Sequence, residues 1–398
     1  MYNRKNTLWR KLMFRVVIGG GMAGLVCAIA SAKCGYKVAL LEKNPRVGKK
    51  ISATGNGKCN LYNVAPYGCY NDNQFVENLL RNYSVDDVKT FFNSLGIFTY
   101  TDANGRAYPI TDNANSVVDC LRTQATRLGV AIFNQTATAV ERTKDGFVVT
   151  TDTAKHVCNE VVLACGSGSQ AQLPSLDKIL PATYFTPTSP SLVPVKVANM
   201  PKVFNGLRLK TQVQLLQDGQ AVYQTQGEVQ FKDYGLSGIC IMDLSAQIAR
   251  NIVKCQRHSY KIALDLCPQL TVSQLQGELQ SRLSAHIPTD QLFYGILHNK
   301  MAQFIIETTP LDAPSLAKAV KTCIFAVDKL LGYEMSQVTA GGVKTDLLSP
   351  NMQLPNGVYA VGEIVNVDGN CGGYNLLFAT ISALATLPLN KKDTILAK

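Results

Sequence analysis

The sequence lacks the cysteine spacing of a metal site or a disulfide framework. It has 12 cysteines among 398 residues, but none of them forms a CxxC motif. This excludes the common zinc and thioredoxin-type redox motifs, as well as the dense pairing of a small secreted domain. We therefore expect most cysteines to be buried small apolar residues of a reduced, cytoplasmic protein.

Long apolar segments are also missing, because no stretch approaches 18 uninterrupted apolar residues, and we predict no membrane span. A basic N-terminus followed by VVIGGGMAGLVCAIASA (16–32) is similar to a signal peptide. However, its three consecutive glycines would break the helix that a signal needs. We predict that residues 1–12 are a disordered extension and that the fold starts at Met13.

Patterns of nucleic-acid domains are absent, although the chain is basic. Lys and Arg number 39 against 28 Asp and Glu, a formal charge of +11. No RNP, KH or zinc-finger pattern accompanies this charge, so nucleic acid is not the expected partner. The excess equally suits an anionic ligand. The length predicts two or three domains, and a composition of 46% hydrophobic and 17% charged residues is that of a globular protein.

What the sequence does contain is a glycine-rich turn between a strand and a helix. Residues 15–18 are a β-branched run typical of a buried strand, and GGGMAG (19–24) follows as G-x-G-x-x-G. A small-residue helix is predicted over 22–34, and YKVALLEK (36–43) is predicted as a second, parallel strand. This strand–turn–helix–strand order, closed by Glu42, predicts a dinucleotide site.

The residues of this turn have separate mechanical roles. Gly19 permits the tight turn, Gly21 lets the backbone approach a pyrophosphate, and Gly24 lets helix and strand pack closely. The first N–H groups of the helix face the phosphates. Glu42 is predicted to accept hydrogen bonds from ribose hydroxyls, which favours an adenosine without a 2′-phosphate.

The next stretch favours FAD over NAD. Residues 44–60 show no clear helix or strand and supply Arg46, Lys49, Lys50 and Lys58 for a diphosphate. A simple nicotinamide dehydrogenase would continue into another helix, whereas an extended cofactor needs a chain that keeps following it. Glycines in this stretch permit close backbone approach.

Residues 16–60 resemble the opening of the HI0933-like (YhiN/BaiN-type) family of bacterial FAD-dependent oxidoreductases. The family's usual TGGGRCN corresponds to TGNGKCN (54–60) here. Further matching motifs follow in the expected order: GRAYP (105–109), GEVQFKDYGLSG (227–238), VTAGGV (338–343) and YAVGEIVNVDGNCGGYNLLFAT (359–380). The resemblance extends over nearly the whole chain.

The resemblance implies an α/β fold, in which a discontinuous Rossmann-type FAD-binding domain carries an inserted β-barrel-like and helical region. Alternating stretches such as LRLKTQVQLL agree with the strands, and the leucine spacing of 271–322 agrees with the helices. The expected division is 13–190 with 335–398 for the FAD-binding domain, 191–270 for the β-rich insert, and 271–334 for the helical insert.

The resemblance and the motifs together define the expected cofactor site. TGNGKCN is expected beside the isoalloxazine ring, the Gly362-Glu363 strand end beside the ribityl and pyrophosphate portion, and the GGYN segment at the flavin pyrimidine. The cofactor-binding residues are predicted to be Gly19, Gly21, Met22, Ala23, Gly24, Glu42, Lys43, Lys50, Thr54, Gly55, Gly57, Cys59, Asn60, Ala164, Gly166, Gly362, Glu363, Asp368, Gly372, Gly373, Tyr374 and Asn375. No metal site is predicted.

The expected reaction is hydride transfer through the flavin N5 from NADH or NADPH to a small organic acceptor such as a conjugated enone. Without a second complete G-x-G-x-x-G, the nicotinamide is expected to visit the flavin only transiently. Candidates for the catalytic residues, including the proton donor, are Lys58, Tyr374 and Cys371, and Tyr234 is a further donor candidate. Cys59 has no partner cysteine within a few residues, so we interpret it as a packing residue.

Two alternatives of other classes remain open at the level of sequence. One is an RNA-modifying flavoprotein, which the positive charge favours. The other is a non-catalytic, flavin-binding redox sensor. The chain also has SQAQLPSLDKIL (169–180) where the family carries a longer glycine-rich run, in a loop that is expected to border the active site.

Overall fold

The computed structural model describes residues 13–168 and 179–397. The predicted extension 1–12 and nearly all of the shortened loop 169–180 therefore lie outside the described residues. Described residues up to Thr186 and from Gly341 onward form one compact unit, and Pro187–Ala340 form a second.

The first unit begins with strands and helices in alternation. Its strands up to Thr186 are β1 (Phe14–Ile18), β2 (Lys37–Glu42), β3 (Tyr62–Asn63), β4 (Thr99–Thr101), β5 (Arg106–Pro109), β6 (Ala131–Asn134), β7 (Ala137–Thr143), β8 (Gly146–Thr151), β9 (Lys155–Cys158) and β10 (Glu160–Leu163). Its helices are α1 (Met22–Lys33), α2 (Lys49–Ala53), α3 (Asn73–Asn82), α4 (Val85–Ser94) and α5 (Ala114–Arg127).

The second unit is built from longer antiparallel strands and a group of helices. The strands are β11 (Ser189–Ser191), β12 (Val195–Val197), β13 (Arg208–Gln217), β14 (Gln220–Lys232), β15 (Gly235–Ser237), β16 (Tyr260–Asp265), β17 (Cys323–Leu330) and β18 (Val338–Ala340). The helices are α6 (Ile239–Val253), α7 (Val272–Ser284), α8 (Asn299–Thr308) and α9 (Ala313–Lys321). The chain then returns to the first unit with β19 (Tyr359–Ala360), α10 (Tyr374–Ala385) and α11 (Lys392–Leu396).

The core of the first unit is a parallel sheet in the order β19-β10-β1-β2-β6. Its central strands are buried on both faces, which explains their continuous apolar runs. Helix α1 is nearly all small or apolar and is buried over residues 22–31. The predicted Rossmann-type α/β fold and its first strand–turn–helix–strand unit are thereby confirmed.

A buried charge near the start of β1 joins several elements of the first unit. The Arg15 side chain is fully buried, and its Nε donates to Glu160 Oε2 at 2.8 Å. Its Nη1 donates to Ser31 Oγ at 2.9 Å and to Thr386 Oγ1 at 3.1 Å. The guanidinium therefore links β1, β10, α1 and the residue after α10.

In the second unit, strands β12-β15-β14-β13-β16-β17 form a closed barrel. Edge-to-face contacts among Phe204, Phe231, Phe304 and Phe325, with ring centroids 5.1 to 5.8 Å apart, help to fill its core. Strand β17 follows helices α7–α9 in the chain and completes the barrel. The range 271–334, which we predict to be helical, therefore also contains this strand. In the described part of the chain, no helix is both long and apolar enough to cross a membrane.

Candidate functional site

The glycine turn after β1 has two crowded positions and one open position. A Cβ on Gly24 would lie 1.8 Å from the Gly19 carbonyl oxygen, and one on Gly19, whose φ is +106°, would lie 2.4 Å from Ala164 O. By contrast, no described atom lies within 4 Å of a Cβ built on Gly21. Gly19 and Gly24 are thus needed for packing, whereas Gly21 faces open space.

Gly21 is also the N-cap of α1. It provides no side-chain cap, and the first turn of α1 contains no acidic residue. The early N–H groups of a helix carry partial positive charge and lack partners within the helix. Met22 and Ala23 lie in this first turn, so the turn has the chemistry of a pyrophosphate site.

Glu42 lies at the carboxyl end of β2, next to this turn. Its Oε2 accepts from Gly20 N at 2.7 Å, and its Oε1 accepts from Asn44 N at 2.8 Å and Asn44 Nδ2 at 2.6 Å. These bonds fix the carboxylate at the sheet edge. A carboxylate has about four lone-pair sites, so acceptor capacity remains for a ribose hydroxyl.

A cavity of about 660 Å³ lies beside Glu42, between the chain after β2, helix α5 and strand β6. Its walls combine the aromatic ring of Phe133 with the basic side chains of Arg46, Lys49 and Arg122. An aromatic ring, cations and a carboxylate are the groups that bind a nucleoside phosphate.

The prediction that residues 44–60 contain no helix is wrong, because α2 occupies Lys49–Ala53. Its N-cap, Gly48, is in the left-handed region, with φ of +79°, and the helix buries Ile51. A 3₁₀ turn over Thr54–Gly57 follows directly. Five residues are too few to show a helical period, so packing inside the fold, rather than local propensity, determines this element.

The TGNGKCN segment forms a tight turn in left-handed backbone geometry. Gly55, Asn56 and Gly57 have φ of +57°, +54° and +83°. The N–H of Lys58 donates to Gly55 O, and the N–H of Cys59 donates to Thr54 O, both at 3.1 Å. These two N–H groups therefore close the turn itself, while a Cβ on Gly57 would meet open space among the described atoms.

Lys58 and Cys59 differ sharply in their environments. The Lys58 side chain is half exposed, and its Nζ lies 3.2 Å from Asp112 Oδ2. Asp112 also accepts from the Tyr100 hydroxyl at 2.7 Å, and this bond raises the pKa of Tyr100 to about 12. Cys59 is fully buried, and burial raises the pKa of its thiol to about 12, which suits a packing role.

The end of TGNGKCN meets the C-terminal GGYN segment. With the Asn60 amide oriented by its hydrogen-bond pattern, Oδ1 accepts from Gly373 N at 3.1 Å, and Nδ2 donates to the carbonyl oxygens of Tyr62 and Ala107. Asn63 Nδ2 donates to Gly372 O at 3.0 Å. Motifs separated by more than 300 residues thus form one surface beside helix α10.

Helix α10, like α1, has a glycine as its N-cap. Its N-cap Gly373 is left-handed, with φ of +96°, and offers no side-chain cap. Tyr374 packs edge-to-face on Tyr70, whose hydroxyl donates to Tyr374 O at 2.9 Å. Asn375 fixes the loop by bonding both the N–H and the carbonyl oxygen of Gly369.

Residues 371–376 of this loop are all partly exposed, whereas 377–385 are all buried. Cys371 thus lies at the accessible edge of the segment. Asp368, by contrast, is buried, and its backbone N–H donates to Asn71 Oδ1 at 2.9 Å.

The residues that follow β19 bring an acidic and a basic side chain together. Glu363 Oε2 lies 2.6 Å from Lys50 Nζ, and Glu363 Oε1 accepts from the Ser167 hydroxyl. Gly362 has φ of +70°, and its N–H donates to Ser382 Oγ at 3.0 Å. Ala164 and Gly166 lie at the end of the neighbouring strand β10, so the ends of β1, β10 and β19 all contribute predicted residues.

Two predicted residues, Lys43 and Tyr234, are not among the contacts described above. Lys43 follows Glu42 on the exposed side of the chain. Tyr234 belongs to the second unit, between β14 and β15, and burial raises the pKa of its hydroxyl. Among the residues that the structure describes, no group of His, Cys, Asp and Glu has the arrangement of a metal site.

Sequence reasoning missed Tyr100, Asp112 and Arg106 near this surface. All three lie on or next to the β3-β5-β4 sheet, which includes the GRAYP motif. The motif was visible in the sequence, but only the strand pairing shows which way its side chains point.

The chain is similar to one known protein family and to several characterised proteins. The family model described as HI0933-like protein Rossmann domain matches residues 14–386. The chain is 32% identical to a 3-dehydro-bile acid delta(4,6)-reductase of Clostridium scindens, over 91% of this chain and 95% of that protein. It is 25% identical to a ribosomal RNA dihydrouridine synthase of Haemophilus influenzae, over 93% of this chain and 96% of that protein. A ribosomal RNA dihydrouridine synthase of Escherichia coli is 24% identical, with 96% and 98% covered.

Proposed function

The chain belongs to the HI0933-like family and is an FAD-dependent oxidoreductase, and from this premise we propose that it is a reductase driven by NADH or NADPH. Its acceptor is proposed to be a small organic molecule with a carbon–carbon double bond conjugated to a carbonyl group. The observation that carries this proposal is the surface where TGNGKCN, GRAYP and GGYN meet beside the N-terminus of α10. The relative that reduces a bile acid supports the choice of acceptor.

The residues of the first unit fit FAD. The open space at Gly21 and the first turn of α1 would hold the pyrophosphate, with Lys50 as a nearby cation. Glu42 and the cavity beside it would hold the adenosine half. Asn60, Gly373 and the start of α10 would hold the flavin end.

When bound, FAD supplies hydride transfer through N5. The chain's task is to bind, orient and exclude water. Helix α10 presents partial positive charge at its N-terminus, which favours an electron-rich ring. The left-handed TGNGKCN turn lets the backbone approach closely without intervening side chains.

Reduction of the double bond also needs a proton at the second carbon. Lys58, Tyr374, Cys371 and Tyr234 are the candidates. Lys58 is half exposed and tied to Asp112, so its ammonium group is both positioned and in contact with solvent. Tyr374 is held in place by its edge-to-face contact with Tyr70.

A second candidate acceptor is a uridine of ribosomal RNA. The net charge of +11 and the two dihydrouridine synthases among the relatives favour it. The chemistry is closely related, because the double bond of uracil is also conjugated to a carbonyl group. The higher identity to the bile acid reductase, 32% against 25%, favours the small molecule.

The first test is a visible spectrum of the purified protein, followed by anaerobic addition of NADH and then NADPH. We expect a flavin spectrum that bleaches with one of the two. The reduced protein is then mixed anaerobically with a 3-oxo steroid enone or with unmodified ribosomal RNA. Reoxidation by the enone alone supports the proposal, and reoxidation by the RNA alone supports the second candidate. A flavin that neither nucleotide reduces would contradict the reductase function and favour a redox sensor.

A further inference from the structure

The GRAYP motif places an arginine at the flavin end of the site. Arg106 lies directly opposite Asn63 in the antiparallel pair of β5 and β3. Side chains of directly opposite residues leave a sheet on the same face. Because Asn63 Nδ2 donates to Gly372 O, that face points to the loop before α10.

The guanidinium is close to this loop. A Cβ built on Gly372 would lie 3.5 Å from Arg106 Nε and 3.2 Å from Tyr374 Cε2. Gly372 has φ of +129°, so the position favours glycine both sterically and by its backbone geometry. Arg106 therefore stands beside the residue that precedes the N-cap of α10.

This is an unfavourable place for a cation without a negative partner. The N-terminus of α10 carries partial positive charge, and its first turn contains no acidic residue. Asp102 accepts from the backbone N–H of Arg106. The ion pairs found within the described ranges do not include the Arg106 guanidinium. By contrast, Lys50 and Lys58 are each paired with a carboxylate.

We propose that Arg106 is the cation that stabilises the negative charge that reduction adds to the flavin ring. Two electrons and one proton enter the ring on reduction and leave it with one net negative charge. Arg106 and the N-terminus of α10 then share that anion, which resolves the repulsion between them. This proposal rests on the proposed function only in placing the flavin at the α10 loop.

The test is the midpoint potential of bound FAD, measured by anaerobic dithionite titration against a reference dye. We expect Arg106→Met to weaken the binding of reduced relative to oxidised FAD about tenfold, the size of one charge-assisted contact. For a two-electron couple this corresponds to a potential lower by about 30 mV. Arg106→Lys keeps the charge and should recover most of the shift. Arg142→Met removes an exposed arginine on β7 and serves as the matched control, without a shift.

An unchanged potential in Arg106→Met, in protein that still binds oxidised FAD, would overturn the proposal. A rise in the acceptor KM without any change of potential would overturn it as well, because the guanidinium would then bind the acceptor. Dithionite needs no nicotinamide, so the result is independent of whether NADH or NADPH reduces the protein.

Discussion

Gly21→Ala separates the role of the glycine turn in folding from its role in binding. Gly21 has φ of −80° and ψ of −166°, which alanine adopts without strain, and its Cβ would meet no described atom within 4 Å. Replacing an N-cap glycine by alanine costs about 0.5–1 kcal/mol. Reduced freedom of the unfolded chain offsets about 0.4–1 kcal/mol of this. We therefore expect the stability of the apoprotein to change by less than about 1 kcal/mol.

The effect on cofactor binding should be much larger. The new methyl group would occupy the space at the start of α1 through which the pyrophosphate approaches the backbone. Losing one charge-assisted hydrogen bond costs about 1.5–3 kcal/mol, which corresponds to roughly 10- to 100-fold weaker binding of FAD. Titration of apoprotein with FAD by calorimetry measures this, and thermal unfolding without FAD checks the fold.

Two further glycines provide the comparison. Gly277→Ala in α7 also meets open space, and it should stabilise the helix by about 0.5–1 kcal/mol without affecting FAD. Gly24→Ala should disrupt the fold itself, because its Cβ would lie 1.8 Å from a backbone oxygen. If Gly21→Ala binds FAD as tightly as the wild type, the start of α1 is not the phosphate site.

Three other substitutions test single contacts. Arg15→Met leaves the carboxylate of Glu160 without its buried partner and should cost about 3–5 kcal/mol in urea unfolding; a loss below about 1 kcal/mol would contradict a structural role for the pair. Lys50→Met removes a half-buried cation and should weaken FAD binding about tenfold, with a smaller salt dependence than the wild type; unchanged affinity would place the phosphates elsewhere. Cys59, with a pKa of about 12, should resist alkylation at pH 8 in the folded protein, while exposed Cys255 reacts. Cys59→Ala should remain reducible by nicotinamide, and loss of reduction in folded, FAD-loaded protein would contradict the packing role.

Local features of the fold were predictable because their causes are local. The β1–α1–β2 unit follows from a β-branched run, a glycine turn and a small-residue helix whose packing partners are close in sequence. Helix α2 could not be predicted in the same way, since it depends on the left-handed Gly48 and on burial of Ile51. The last barrel strand, β17, follows three helices, and its pairing with β12 and β16 is set by the closed barrel.

The site was predictable in its residue types but not in its contacts. Glu363 and Lys50 were both expected near the cofactor, yet nothing in their spacing of more than 300 residues predicts the 2.6 Å ion pair between them. Asp112 belongs to no recognisable motif, and its ion pair with Lys58 depends on how the chain folds after β5. Arg106 is part of the GRAYP motif, but the direction of its side chain depends on the pairing of Asn63 with β5.

The positions of the carboxylates indicate where a negatively charged group of a ligand would be favourable. Lys50 is paired with Glu363 and Lys58 with Asp112, so each cation keeps its position before any ligand arrives. The first turns of α1 and α10 contain no acidic residue, and the ion pairs found within the described ranges do not include Arg106. Two separate places in the described ranges therefore present a helix N-terminus without an acidic residue in its first turn: the glycine turn, where the neighbouring Glu42 carboxylate accepts from Gly20 N, and the GGYN loop. A dinucleotide with a diphosphate in its middle and a ring that gains charge on reduction supplies an anion to both, whereas a lone nucleotide would supply only one.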